Sequence, residues 1–376
     1  MVRPLADKGV GTPASFLAKT FTLDSVSGGE LLDISALGLY RCFINGQRVG
    51  DDLLTPGWTS YDVRLSYQTY AVGDLLVAGT NRIEIWLADG WLRSQMMWGK
   101  APIFNTWGSE IAAIAELRAG SGAAEPLLVT DASWVSGELP VRKSGIYFGE
   151  IFDARITPEV TAGSAVLAFD HARLIPHETT PVRELAPLAV VKQWTDAEGR
   201  VVYDFGQNSG GYVAFDVIGE PGALVTVEHA EVLNQDGEFY NVNFRTAAAR
   251  LEYTLSGKGR EHYRPYFTFQ GFRYARVTIT GEAKLDGIVS VPISSITQVK
   301  ASFTSGNALV NRLVLNTVWS QRANFIEVPT DCPQRDERLG WTGDAQVFAG
   351  TACYFGETHD FFRKWMRDLM ADQRED

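Results

Sequence analysis

Hydrophobic and polar positions change their period once along this chain, near residue 297. Before that point they mark short strands. Gly38-Leu39-Tyr40-Arg41-Cys42-Phe43-Ile44 runs into Asn45-Gly46 and out through Gln47-Arg48-Val49. Asn-Gly tolerates the positive φ of a two-residue hairpin turn, so a hairpin is predicted there. Ile83, Ile85 and Leu87 alternate with Glu84, Trp86 and Ala88, as in a strand with two unlike faces. Tyr212 to Ile218, the turn residues Glu220-Pro221-Gly222, and Leu224 to Glu228 read as strand, turn and strand. Phe272 to Ile279 alternates again. Short strands at this spacing indicate sandwiches rather than a parallel α/β sheet. A polar, proline-containing stretch from His177 to Pro187 is the candidate junction between two of them.

Beyond residue 297 the spacing turns helical. Leu309, Val310, Leu313, Val314, Val318 and Trp319 share one helix, and Thr342-Gly343-Asp344 offers a cap for a second carrying Val347, Phe348 and Cys353. A third, from about His359, would place Phe361, Phe362, Trp365, Met366 and Leu369 on one face. Three helices with apolar faces make an unfinished helical domain, to be covered by downstream chain or another subunit. The expected division is an extension over 1–20, a β-sandwich over 21–185, a second β domain over 186–297 and a helical start over 298–376.

Charge narrows the partners. The 376 residues hold 45 Asp and Glu against 34 Lys and Arg, a net −11, without a basic cluster that could follow a phosphate backbone. Nucleic acid is therefore not expected; neutral ligands such as sugars are compatible. Cys42, Cys332 and Cys353 are too few and too scattered for a disulfide framework or a zinc site. The N-terminus lacks the apolar core of a secretory signal, and no apolar run has the length of a membrane span. These features lead us to expect a cytoplasmic protein without membrane contact, or a periplasmic or secreted one if a signal has been removed.

Between the first two helices lies Pro329-Thr330-Asp331-Cys332-Pro333-Gln334-Arg335-Asp336-Glu337-Arg338-Leu339-Gly340-Trp341-Thr342-Gly343-Asp344. Pro333 and Gly340 argue for a loop. It could be a self-paired, solvated charge run, but such runs rarely interleave Cys, Leu and Trp. Carboxylates crowded together raise the pKa of at least one of them. Glycoside hydrolysis needs that protonated acid, beside a second carboxylate that handles water or attacks the sugar.

This segment, followed by Phe361-Phe362-Arg363-Lys364-Trp365, resembles the opening of the catalytic (α/α)6 barrel of glycoside hydrolase family 78, the α-L-rhamnosidases. Upstream stretches resemble the same family in the same order: Gly38 to Gly50, Pro56 to Tyr61, Asp89-Gly90-Trp91, Gly149 to Arg155, Asp204 to Asn208, and Phe267 to Tyr274. The resemblance implies a mainly β chain, two β-sandwich-type domains followed by the first helices of an (α/α)6 barrel that is incomplete here. It implies inverting hydrolysis of terminal α-L-rhamnosyl bonds, with a rhamnose-containing glycoside as ligand. Glu337 matches the general acid, Asp331 and Arg335 match groups that hold rhamnose hydroxyls, and Trp341 matches a wall of the sugar pocket. Asp344 is either a sugar contact or a helix cap. Asp336 and Arg338 are expected to brace the loop through ion pairs, and Cys332 to fill space. Gln270 stands where the family commonly has His, a change expected to be minor because it lies in the β domain.

Trp91, Trp98 and Trp107 could stack on sugar or fill a core, and Asp89 beside Trp91 keeps an accessory sugar site open. Some relatives bind calcium in a comparable domain, but no ligand set maps onto this chain, so neither metal nor cofactor is expected. The family's general base lies beyond the residues present, which makes these 376 residues alone an expected poor catalyst. The alternative is a non-catalytic carbohydrate-binding protein derived from such an enzyme.

Overall fold

The computed structural model describes residues 1–97, 101–122 and 125–374. Trp98 lies outside them. A twelve-stranded sheet folds over on itself to form the first sandwich. One arm carries Leu65–Ala71, Leu31–Leu37 and Ala112–Arg118; the other carries Ser15–Leu23, Gly79–Ala88 and Leu39–Ile44. Val2–Pro4, Ala162–Val166 and Val135–Glu138 join the arms. Leu32, Ile34, Ala113 and Leu117 from one arm share a core with Leu17, Cys42, Ile83 and Ile85 from the other. The alternating Ile83, Ile85 and Leu87 do point inward, all fully buried. Asn45 and Gly46 take φ of 51° and 79° between the paired strands Leu39–Ile44 and Gln47–Arg48, the expected turn.

Two expectations are corrected. Residues 1–20 are not an extension: Val2–Pro4 pairs with Ala162–Val166, and Ser15–Leu23 is paired along its whole length with Gly79–Ala88. Val141–Gly145 and Gly149–Asp153, assigned by their place in the chain to the first sandwich, belong to the second sheet, where Gly149–Asp153 runs parallel to Arg250–Thr254. Val141–Gly145 joins that sheet through Gly149–Asp153, whose own partner lies about a hundred residues away, which local pattern does not disclose.

The second sheet has ten strands, centred on Leu224–Ala230, Gln270–Thr280, Val201–Gly219 and Ala283–Ser294. Val201–Gly219 and Leu224–Ala230 are both strands, but they do not pair as a hairpin. Gln270–Thr280 is inserted between them and bonds to both. The segment 177–187 leaves the first sheet after Leu174–Pro176 and enters the second at Arg183–Glu184.

Helix α1 is a single turn, Gly90–Arg93; α2 (Ala308–Asn324), α3 (Thr342–Phe355) and α4 (His359–Asp372) follow the sheets. Among the described residues no helix is long and apolar enough to cross a membrane. Asn307 caps α2, its side chain accepting from the Leu309 and Val310 amides. The expected cap of α3 is corrected: Trp341 holds the N-cap position and its side chain does not cap the helix, while Thr342, Gly343 and Asp344 form the first turn. Leu309 and Leu313 on α2 and Val347 on α3 stay exposed, with no further helix among the described residues to cover them.

The buried face of α4 also differs from the apolar stripe. It consists of Phe361, Lys364, Trp365 and Asp368, whereas Met366 is exposed. Lys364 Nζ and Asp368 Oδ2 pair at 3.0 Å with almost no solvent contact, and Arg64 reaches Asp368 at 3.0 Å. Lys364 also donates to the Trp58 carbonyl, and Trp365 packs on the Trp58 ring at 6.1 Å. Charged i, i+4 positions read as solvated; here the loop Pro56 to Arg64 of the first sandwich encloses them.

Glu327 sits in the same interface at φ 65°, buried, its carboxyl against Gly57, where any Cβ would collide with it. Burial, opposed by Lys364 and reinforced by Asp368, pushes its carboxyl up to about 7. A raised carboxyl contributes its full stability below the unfolded value near 4.5 and loses it as pH rises through about 7. Glu327→Gln should therefore gain stability over the parent between pH 5 and pH 8, by roughly 2–3 kcal/mol. The neighbouring His177, held down to about 4 by burial, changes stability with the opposite sign and lies 4.0 Å from the Glu327 carboxyl, so parent and variant are compared in a His177→Gln background. Thermal melts at the two pH values decide: an equal difference at both would remove Glu327 as the source.

Candidate active site

The charged loop is tied at its neck. Thr330 and Gly340 form an antiparallel bridge, the Asp331 amide donates to the Leu339 carbonyl at 3.3 Å, and the Trp341 amide donates to Pro329 at 3.2 Å. Its underside lies on the second sheet. Gly271 in the strand Gln270–Thr280 lets Pro333 approach so closely that a Cβ there would stand 2.6 Å from the proline ring. Gly340 does the same beneath the Trp365 ring.

Inside the loop Asp331, Arg335 and Glu337 come together. Arg335 Nε donates to Glu337 Oε2, and Arg335 Nη2 lies 3.5 Å from Asp331 Oδ2. The Asp331 and Glu337 carboxylate oxygens and the Cys332 sulfur are within 4.8 Å of one another. The Arg335 guanidinium lies on both carboxylates, where it supplies the positive charge that a cation would otherwise bring. Burial raises Asp331, and the neighbouring Glu337 carboxylate raises it further. Burial and Asp331 push the Cys332 thiol up to about 12, so it is no nucleophile at neutral pH.

Asp331 and Asp344 share the lining of a cavity of about 490 Å³ with Asn324, Thr330, Pro329 and Phe348. On its other side Asp331 borders a more polar cavity of about 530 Å³, with Asn208, Glu231, Arg273 and Gln334. Trp341 and Glu337 line neither. Asp344 is exposed in the first turn of α3, where its charge suits the helix N-terminus as well as a ligand.

Asp336 braces the loop as expected, but through the second β domain: Arg245 Nε meets Oδ1, and the Thr246 hydroxyl donates to Oδ2 at 2.6 Å. Arg338 is corrected, because among the described residues it has no ion-pair partner. Its fully buried guanidinium donates to the carbonyls of Ile146, Phe269 and Gln334 and to Gln270 Oε1 at 2.7 Å. Burial lowers it to about 10, which leaves it charged at neutral pH. Gln270 consequently touches the acid loop, so its identity is not a remote β-domain detail.

Asp89 and Trp91 do not form an exposed sugar platform. Asp89 pairs with Arg93 at 2.5 Å and accepts from the Gly11 amide at 2.9 Å. Trp91 is 2% exposed and packs near Phe269, in the core between the sheets. Trp107, half-buried, joins Trp58 and Tyr61 in an aromatic cluster.

Sequence reasoning missed Arg245, whose Nη2 lies 3.0 Å from Glu337 Oε2, and Tyr147, whose hydroxyl donates to the Glu337 carbonyl. Tyr147 lies two residues before the Gly149 to Arg155 stretch that carried the family likeness; Arg245 carried no local signal beyond sitting in a polar turn.

Three family models match in succession. An α-L-rhamnosidase N-terminal domain covers residues 30–190, a bacterial α-L-rhamnosidase concanavalin-like domain covers 195–295, and a bacterial α-L-rhamnosidase six-hairpin glycosidase domain covers 298–376. An α-L-rhamnosidase of Streptomyces avermitilis is 38% identical over 91% of this chain, and one of Formosa agariphila 33% identical over 95%. The chain spans only 34% and 40% of those two proteins. The crystal structure of the Aspergillus terreus α-L-rhamnosidase superimposes with a TM-score of 0.92 at 34% identity, over 99% of this chain and 45% of that one. The S. avermitilis enzyme crystallised with L-rhamnose gives 0.89 at 36% identity, over 98% and 37%. Two β domains and an acid loop in this order, matched by successive models of one family, place the chain in the bacterial α-L-rhamnosidase family.

Proposed function

We propose that this chain carries the acid side of an α-L-rhamnosidase site, which hydrolyses a terminal α-L-rhamnosyl bond with inversion. The observation that carries the reading is the convergence of Asp331, Arg335 and Glu337 in a loop anchored to the second β domain. Glu337 protonates the departing glycosidic oxygen. Asp331 and Arg335 hold rhamnose hydroxyls by charge-assisted hydrogen bonds. Trp341 walls the sugar, and Asp344 reaches it from the first turn of α3. The match to an enzyme crystallised with L-rhamnose supports rhamnose as the sugar. A carbohydrate-binding protein without catalysis has less support, since Asp89 and Trp91 are committed to packing.

An inverting enzyme needs a second carboxylate about 6.5–9.5 Å from the first to activate water, and none of these residues is assigned that part. Six hairpins require more helices than α2, α3 and α4 supply. The activity is therefore proposed for these residues within a completed six-hairpin domain. The test is release of nitrophenol from nitrophenyl α-L-rhamnoside, glucoside and arabinoside by that completed protein. Release confined to the rhamnoside is expected; equal release from the glucoside, or none from the rhamnoside, would sink the assignment.

A further inference from the structure

We propose that the polar cavity beside Asp331, between α2 and the second β domain, is a leaving-side subsite for a neutral sugar to which the rhamnose is attached. The proposal rests on the reading of Asp331 and Glu337 as rhamnosidase residues and adds the class of group that is released.

Two elements build the cavity. On the sheet side, the register of Val201–Gly219 against Gln270–Thr280 breaks between Asp204 and Ser209. Such a bulge aims side chains out of the ladder, and here Gln207 and Asn208 line the cavity. The wall is firm: Asp204 takes Arg273 of the facing strand through two bonds of 2.8 Å, and Asn208 Nδ2 donates to Glu231 Oε1 at 2.9 Å. On the helix side, Arg312, Asn316, Trp319, Ser320 and Asn324 of α2 line the same space, at the spacing of one helix face. A face that packed on a sheet would be apolar; this one is polar around a single indole. The helix is nonetheless seated, because Gly210 lets it come so close that a Cβ there would stand 2.7 Å from the Ala323 carbonyl oxygen.

The acid loop supplies the third wall. Gln334 Oε1 and Asp331 Oδ1 are buried and, among the described residues, have no hydrogen-bond partner. Both side chains belong to residues that line the cavity. A buried acceptor left unmade costs free energy that a ligand hydroxyl recovers. Acceptors on Asp331, Gln334 and Glu231 with one indole beside them suit a pyranose, whose hydroxyls donate while its C–H face lies on a ring. The two carboxyl groups disfavour an anion, and a plain aromatic group would bury the acceptors unpaired. The volume of about 530 Å³ falls in the range of small-ligand pockets. One oxygen of Asp331 and one of Glu337 lie within 4.8 Å of each other. A group protonated by Glu337 therefore departs beside this cavity.

The test is calorimetric titration of the completed six-hairpin protein carrying Glu337→Gln, which holds a substrate without consuming it. The ligands are methyl α-L-rhamnoside, phenyl α-L-rhamnoside, and disaccharides with rhamnose α-linked to each hydroxyl of methyl glucoside in turn. At least one disaccharide should bind about tenfold tighter than methyl rhamnoside, the worth of a ring contact or one good hydrogen bond. Trp319→Ala should remove that gain and leave the affinity for methyl rhamnoside unchanged. Gln334→Leu discards an acceptor that no described residue uses, so the fold survives, and it should cut the gain to roughly threefold. Three results would overturn the subsite, even in a protein whose Glu337 parent hydrolyses rhamnosides. These are disaccharides that bind no better than methyl rhamnoside, a gain that survives both substitutions, and a phenyl rhamnoside as tight as the best disaccharide. A gain lost in the two variants of a protein whose parent hydrolyses none of these ligands would uphold the subsite and sink the catalytic reading instead.

Discussion

Glu337→Gln, in a protein with all six hairpins present, is expected to slow hydrolysis of an alkyl α-L-rhamnoside by roughly 10²–10⁴-fold, the usual contribution of a general acid. The loss should fall on kcat. Glutamine has the size of glutamate and still offers an oxygen to Arg335 and Arg245, so the loop and the bound sugar keep their geometry. A nitrophenyl rhamnoside should lose far less, because nitrophenolate departs with little help from a proton. This leaving-group dependence separates Glu337 from Asp331, the rival within the same cluster. Asp331 is the carboxyl raised by burial and by its neighbour, and a raised carboxyl is also a candidate proton donor. As a sugar-holding group, Asp331→Asn should raise KM by a similar factor for both leaving groups. Rates of the two variants on an alkyl and a nitrophenyl substrate decide the roles. If the leaving-group dependence appeared in Asp331→Asn and not in Glu337→Gln, the two roles would have to be exchanged.

The acid loop was legible because its chemistry is local. Asp331, Arg335 and Glu337 lie at i, i+4 and i+6 of one loop, and Pro333 and Gly340 exclude the helix that would point them apart. The Asn45-Gly46 hairpin and the alternation of Ile83, Ile85 and Leu87 were legible for the same reason: turn and pleat are decided by neighbours. What supports the loop was not. Arg245, Tyr147 and Gln270 reach it across gaps of 68 to 190 residues in sequence, and no local pattern announces such a contact. Burial of like-looking residues was equally hidden. Asp89 and Trp91 have the composition of a sugar platform, yet Arg93 and Phe269 enclose them. Lys364 and Asp368 look like a solvated helix face, and only the loop that carries Trp58 turns them into an interior pair.

Arg338→Met should destabilise the chain on the order of 3–5 kcal/mol, the range for stranding several buried polar groups. The guanidinium is the filling of a box whose walls are all acceptors: the carbonyls of Ile146, Phe269 and Gln334, the Arg335 carbonyl at 3.1 Å, and Gln270 Oε1. The Tyr147 and Phe269 rings also flank it, at 5.6 and 5.4 Å. Among the described residues no carboxylate forms an ion pair with it, so methionine removes a charge without exposing a partner charge. The penalty comes from the oxygens, which water cannot reach. Arg338→Lys keeps the charge but cannot spread donors over so many directions, and should cost about half as much. Gln270→Leu removes one acceptor from a guanidinium that retains the others, so about 1–2 kcal/mol is expected. Gln270→His should be milder, because an imidazole nitrogen can still accept. Urea unfolding of the four variants tests the ranking. If Arg338→Met cost no more than Gln270→Leu, the acid loop would be held by Arg245 and Asp336, and Arg338 would be a passenger in its floor.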